Sequence, residues 1–222
     1  MIIVMLGAPG VGKGTMSSSL SEYYEIPHIS TGDILREIAK EDSKEAEKIK
    51  GYLDKGELVP EDIINDLLVK RIEENDAKNG YILDGYPRTM NQVKFLENYL
   101  KEKGKTIDAI VNIETPKEEI IDRIINRIVC PKCHAIYNLK YNKPIVEGHC
   151  DICDTKLIKR SDDTKEKVED RLLEYETKTH DIVEYYHKKG ELFKVLVCEV
   201  ANKKAKDALK SIIWYIENKN KN

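Results

Sequence analysis

Three sets of residues in this 222-residue chain are of types and spacings that do chemistry. The first is "GAPGVGKGT" (7–15), which follows a short apolar run and opens a helical pattern. In that context the backbone N–H groups of Gly10, Val11, Gly12, Lys13, Gly14 and Thr15 can surround a phosphate at a helix N-terminus, where the helix dipole favours anions. Lys13 then reaches the outer phosphates. A Gly-rich strand-to-helix turn without a ligand is the plain alternative. Gly7, Gly10, Gly12 and Lys13 all in register after a strand argue against it.

The second set is arginine. The chain has seven, Arg36, Arg71, Arg88, Arg123, Arg127, Arg160 and Arg171, against thirty lysines. Guanidinium is always charged and grips phosphate oxygens in a bidentate fork, so bringing two polyanions together calls for clustered arginines. A lone surface arginine is by contrast a solvated ion pair worth about 0–1 kcal/mol. All but Arg71 lie within or beside short polar motifs. Arg123 and Arg127 are four apart and share one helical face.

The third set is cysteine. Cys130, Cys133, Cys150 and Cys153 are spaced C-x2-C-x16-C-x2-C, within the range of a tetrahedral zinc ribbon. An iron centre on the same sulfurs is chemically allowed. "CPKCH" alone matches a haem-attachment signature, but the second CxxC is then unexplained. A thioredoxin-like redox site leaves the same residue. Nucleic-acid binding by the ribbon is disfavoured by a net charge of −3. His134 and His149 adjoin a set that four thiolates already complete, and read as exposed. Cys198 reads as a lone buried structural cysteine. Around 35 residues make little core of their own, so a structural metal supplies stability they lack.

These groups need elements to position them. "MIIVML" (1–6) is a buried parallel strand; Lys13 to Tyr24 is helical; "IPHIS" (26–30) is a second strand. Residues 31–72 read as helical, broken near Gly51, Gly56 and Pro60. "GYILDG" (80–85) is a third strand, 89–103 a helix stopped at Gly104, and "IDAIVNI" (107–113) a fourth strand. Pro116 opens a helix to Asn126. After the cysteine segment, with a β-like stretch containing Tyr137, Leu139 and Tyr141, 162–189 reads as one long amphipathic helix. "LFKVLV" (192–197) is the last strand, 202–217 the last helix, and "ENKNKN" a frayed tail. Alternating strands and helices predict an α/β fold with a parallel sheet covered on both faces. The 31–60 and 128–163 stretches read as inserts at the sheet's edge. Ordinary soluble composition, 41% apolar and 35% charged, and no segment long enough for a membrane span or a signal h-region point to the cytoplasm. In a reducing compartment clustered cysteines are metal ligands rather than disulfides.

One detail narrows the reading. After Gly-Lys the general phosphate loop has Ser or Thr; here Gly14 stands there and Thr15 follows. This resembles the GxPGxGKGT loop of nucleoside monophosphate kinases. "STGDILR" (30–36), "DGYPRTMNQ" (84–92), "DRIINR" (122–127), "RSDD" (160–163) and Arg171 fall in the order and spacing of the adenylate kinase family. The resemblance covers nearly the whole chain, and the cysteine segment resembles that family's long, zinc-bearing lid.

The resemblance implies a P-loop three-layer fold with a core of 1–29, 60–126 and 164–222, a helical NMP-binding insert at 30–59 and a zinc-ribbon-like lid at 127–163. It implies reversible transfer from MgATP to AMP giving two ADP, by a monomer that binds neither membrane nor nucleic acid. Arg36 and Arg88 would hold the AMP phosphate, with Arg160 and Arg171 closing from the lid side. Thr31, Gln92 and the turn Gly85, Tyr86, Pro87 would complete that site, with backbone contacts from Glu57, Leu58 and Val59. Arg127, with Arg123 beside it, and Ile136 and Tyr137 from the lid would contact ATP. Asp84, at a strand's C-terminal end, would orient the waters of Mg²⁺, consistent with Gly14 in place of a direct hydroxyl ligand. Asp162 and Asp163 sit at the lid hinge or cap the next helix. Two departures stand out. Ile128 replaces a second arginine usual after Arg127, and "VCEVAN" lacks the glycine-bearing loop that presents a carbonyl to the donor adenine. Thr31, where uridylate/cytidylate kinases usually have Ala, favours AMP. A GTP-using relative of the fold and a zinc-ribbon nucleic-acid-binding ATPase are the alternatives.

Overall fold

A computed structural model describes residues 1–198 and 204–219. Five parallel strands form one sheet in the order β2-β3-β1-β4-β7: β1 (Ile2–Leu6), β2 (His28–Ser30), β3 (Tyr81–Asp84), β4 (Ala109–Glu114) and β7 (Leu192–Leu196). Successive strand residues point to opposite faces, so β1 is apolar throughout because both faces are covered. Ile2, Val4 and Leu6 pack on one side with Leu68, Leu96 and Tyr186. Ile3 and Met5 pack on the other with Leu20, Ile120 and Ile212.

The first face is covered by α2 (Thr31–Ile38), α3 (Lys44–Lys55), α4 (Glu61–Ile72), α5 (Met90–Glu102) and α8 (His180–Lys188). The second is covered by α1 (Lys13–Tyr24), α6 (Lys117–Ile125), α7 (Lys165–Glu174) and α9 (Ala205–Asn218). Between α6 and α7 the chain leaves the sheet. There β5 (Arg127–Val129) and β6 (Ile136–Asn138) pair antiparallel, around a small core of Cys130, Tyr137, Cys150 and Leu157.

Several local expectations need correction. Gly51 does not break a helix: it lies inside α3 on an exposed face. The break falls at 39–43, where Ser43 caps α3 by accepting from the Ala46 N–H at 3.1 Å. The 162–189 helix begins only at Lys165, capped by Thr164, and a π turn at Tyr175–Thr179 divides it. In the lid only Ile136–Asn138 is strand; Leu139 and Tyr141 lie beyond it and are exposed. The expected frayed tail is helical at Glu217 and Asn218, and Tyr23 donates to Glu217 at 3.0 Å. Its last residues, 220–222, lie outside the described residues.

Candidate active site

The loop between β1 and α1 lies at the carboxyl ends of the strands, beside the point where the sheet order reverses. Gly12, at φ +103°, turns the chain into α1, whose first turn has neither a side-chain cap nor an acidic residue. Its leading N–H groups and positive dipole end therefore face the loop mouth. Lys13 crosses that mouth and donates to the carbonyls of Gly7 (2.7 Å) and Ala8 (2.8 Å). Burial lowers its pKa to about 8; Asp84 opposes the shift, and Arg88, Arg171 and Arg127 reinforce it. Asp84, at the end of β3, hydrogen-bonds His28 Nε2 at 3.2 Å. Burial works to raise the Asp84 pKa, but the His28 bond and the Lys13 charge hold it below the ordinary value, so it is a carboxylate at neutral pH.

A cleft of about 590 Å³, including its open mouth, begins at Gly85, the residue after Asp84. Thr31, Arg36, Glu57, Leu58, Val59, Gly85, Arg88, Gln92 and Arg171 line it. Local structure explains each placement. Ser30 caps α2 by accepting from the Asp33 N–H, which leaves Thr31 to donate to the Gly85 carbonyl at 2.9 Å. Thr89 caps α5 through the Gln92 N–H, and the Gln92 side-chain Oε1 accepts from the Arg88 N–H at 2.7 Å. The Arg88 guanidinium is anchored by donation to the Gly85 carbonyl at 2.8 Å. Tyr86 is turned inward, donating to Asn65 at 2.6 Å, and Pro87 follows it through a cis bond.

The lid reaches across this region. Ile136 lies so close to Gly14 that a Cβ there would meet its Cδ1 at 3.1 Å. Tyr137 is buried in the lid core, where its hydroxyl lies 3.5 Å from Cys150 Sγ and accepts from the Asp151 N–H at 2.8 Å. Arg127 grips Asp163 with both arms of its fork, and Arg171 donates to Asp162 at 2.9 Å. Arg160 reaches Asp33 at 3.5 Å, the carboxylate that Arg36 holds at 2.6 Å. Burial first lowers Arg160 and Arg171 to about 10; Arg36 and Arg127 add to it at Arg160, while at Arg171 Asp162 opposes it and Arg127 and Arg88 reinforce it. Arg123 stands apart on α6, donating to the Val11 carbonyl at 3.2 Å and to Glu119 at 3.1 Å. Arg71 pairs with Asp76 and Glu74 on the surface, away from the cluster.

The four cysteine sulfurs lie within 4.8 Å of one another, and the pairs Cys130–Cys153 and Cys133–Cys150 stand at 3.4 Å. A tetrahedron of thiolates about 2.3 Å from zinc has edges near 3.8 Å, so the donor set fits. Ile128 pairs with Tyr137 and packs against the lid core, so the side chain there serves packing rather than the clamp. Cys198 is buried, 3.4 Å from Glu119. Of the segment expected near the donor base, Val197 and Cys198 are placed, and 199–201 lie outside the described residues.

Four partners of the site were not singled out from sequence: Asp33, His28, Glu119 and Thr179, whose hydroxyl donates to the Arg88 carbonyl. Two had a signal. Asp33 and Arg36 are three apart on α2, and Glu119 and Arg123 four apart on α6, the spacings at which helical side chains meet. His28 and Thr179 had none.

Comparison with known sequences agrees with this geometry. The sequence model of the family described as adenylate kinase matches residues 5–191. The chain belongs to the adenylate kinase family. Proteins named adenylate kinase from Lachnospira eligens and Clostridium perfringens (strain SM101 / Type A) are 47% and 45% identical to it. The first alignment covers 88% of this chain and 92% of the relative, the second 86% and 89%. One from Caldicellulosiruptor saccharolyticus is 43% identical over 96% of this chain and 97% of its own length. As a member of the family the chain is an ATP:AMP phosphotransferase, moving the terminal phosphoryl group of ATP reversibly to AMP. Among the described residues no helix is long and apolar enough to cross a membrane.

Proposed function

We propose that the phosphate loop holds ATP, that the cleft beside it holds AMP, and that the arginines between them bring the two phosphate chains in line. The observation that carries this is the electrostatic state of the cluster. Lys13, Arg88, Arg160 and Arg171 are all held below their ordinary values by burial, with Arg–Arg and Lys–Arg repulsion added. Cations packed together with too few counter-charges form a site for polyanions.

In this reading Gly10 to Thr15 and Lys13 take the donor's outer phosphates, with Arg123 and Arg127 beside them. Ile136 and the Tyr137 backbone cover ATP from the lid. Arg36, Arg88 and Arg171 grip the acceptor phosphate, and Arg160 joins through its contact with Asp33. Thr31, Gln92, the Gly85–Pro87 turn and the backbone of Glu57–Val59 orient the acceptor nucleoside. An acceptor phosphate oxygen then attacks the terminal phosphorus opposite the leaving oxygen. The guanidiniums and Lys13 neutralise charge on the transferring group. Mg²⁺ supplied with the nucleotide would add to that neutralisation, and the ionised Asp84 carboxylate is the residue fitted to orient its waters. Closing residues 127–163 over the loop excludes water.

The division into a core (1–29, 60–126, 164–222), an insert (30–59) and a lid (127–163) follows the same reading, with structural zinc at the four cysteines. The same reading takes the protein as a monomer of the cytoplasm, a reducing compartment in which clustered cysteines serve as metal ligands. A coupled assay that varies the acceptor (AMP, CMP, UMP) and the donor (ATP, GTP) tests the assignment. AMP with ATP is expected to turn over fastest. Preference for UMP or CMP would overturn the acceptor reading, and preference for GTP the donor reading.

A further inference from the structure

The rod formed by α7, the π turn and α8 runs without Gly or Pro from Lys165 to Lys188, so its interruption at Tyr175–Thr179 is not a proline or glycine kink. A π turn is one residue inserted into an α-helix. At about 100° per residue, positions eight apart in an uninterrupted α-helix lie about 80° apart around the axis. With one inserted residue the same span behaves as seven steps and closes to about 20°. Arg171 and Thr179 are eight apart, so the π turn aligns them on one side of the rod. Before the turn the rod packs Val168 and Leu172 into one core; after it, Ile182, Val183 and Tyr186 enter the other.

Both aligned residues act on the same cleft. Arg171 lines it and binds Asp162 at the lid end. Thr179, 7% exposed, donates its hydroxyl to the Arg88 carbonyl at 3.1 Å. The Arg88 backbone is thus held on both sides, its N–H by Gln92 and its carbonyl by Thr179.

We infer that Thr179 is a positioning residue for the acceptor site: the π turn delivers its hydroxyl to the Arg88 carbonyl and so sets where that guanidinium lies relative to Arg171. The inference rests on the reading that Arg88 grips the acceptor phosphate. A hydroxyl that merely satisfied a buried carbonyl would affect stability and both substrates alike. A positioning group affects the acceptor alone.

The test is steady-state kinetics with AMP and ATP varied separately, and thermal melts, on the full-length Thr179→Val, Thr179→Ala and Thr179→Ser enzymes. Losing one hydrogen bond is expected to raise KM for AMP roughly three- to tenfold in the Val and Ala variants and to lower kcat. KM for ATP stays within about twofold, and Ser restores the wild-type values. Unchanged AMP saturation in a folded Val or Ala variant, an equal shift for both substrates, or failure of Ser to restore AMP binding would overturn it. Arg88→Ala separates the two claims. If it leaves AMP saturation intact, the reading of Arg88 itself falls; if it abolishes AMP saturation while Thr179→Val is silent, only the role of Thr179 falls.

Discussion

Lys13 shows how a single residue is prepared for its ligand. Its ammonium group satisfies itself on the loop's own carbonyls, Gly7 and Ala8, in the place where a polyphosphate would lie. Burial and three nearby guanidiniums hold its pKa to about 8, against a partial rescue by Asp84. A bound triphosphate adds negative charge and raises that pKa again. Below about pH 7 the lysine is protonated in both states and takes up no proton on binding. Between about pH 8 and 9.5 the free form is partly neutral and the bound form charged, so binding takes up a proton and weakens as pH rises. Calorimetric titration of ATP in buffers of different ionisation enthalpy is expected to show proton uptake at pH 8.5, absent at pH 6.5 and lost in Lys13→Met. Equal proton exchange at both pH values would refute it. At this scale the cations were legible in sequence, because arginine is scarce in this chain and six of the seven fall at motif positions. Their partners were less so. Among forty acidic residues, Asp33 and Glu119 were marked only by their helical spacing from Arg36 and Arg123, and the fold shows that those pairs form.

Elements were legible where periodicity and cap agreed. The run 2–6 is a strand because both faces are covered, and α1 keeps the bounds its helical pattern implies. Gly51 misled because glycine in an exposed helix costs only about 1 kcal/mol, which α3 tolerates. The π turn has no composition signal: an inserted residue is chosen by what lies on each side of the helix, here two different cores. The loop after β1 and the first turn of α1 offer a sharper test, because a glycine in each is required for a different reason. Gly10 has φ +84°, and a Cβ there would stand 2.5 Å from Ile124 Cγ1, inside the packing of α6. Gly10→Ala combines a left-handed backbone with overpacking, about 2–4 kcal/mol, and is expected to lower Tm by roughly 5–10 °C. Gly14 has no such backbone constraint; its Cβ would press on Ile136 of the lid at 3.1 Å. Gly14→Ala is expected to keep Tm near wild type and lower kcat, because the lid cannot seat. Equal melting losses in both variants would show that the lid contact does not matter.

The whole molecule joins parts that are held together by different means. The two sheet-facing cores are built of aliphatic and aromatic side chains, whereas the lid core consists of Cys130, Tyr137, Cys150 and Leu157. The sequence pointed to the four sulfurs that converge in the lid, since two CxxC pairs at that spacing have few other uses. It did not show how the lid is joined to the rest, which depends on Asp33 with Arg160 and Asp162 with Arg171, while Asp163 with Arg127 ties the lid's two ends together. Asp33 is held at about 2; burial opposes this, and Arg36 and Arg160 outweigh it. That contribution is fully present above the ordinary carboxylate pKa near 4 and is lost as pH falls towards 2. Metal removal attacks the other fastening. Four sulfurs without a cation leave a few buried side chains to order nearly forty residues, which is too little apolar burial to offset the chain entropy. Because the lid core shares no residue with the sheet cores, a chelator, or Cys130→Ser with Cys153→Ser, is expected to loosen 127–163 while the sheet melts at its former temperature. Limited proteolysis should then cut between Leu139 and Lys156, and low-temperature turnover should fall less than the lid's resistance to cleavage. A wild-type protein that contains no metal, with chelator changing neither cleavage nor melting, would refute the structural-metal assignment.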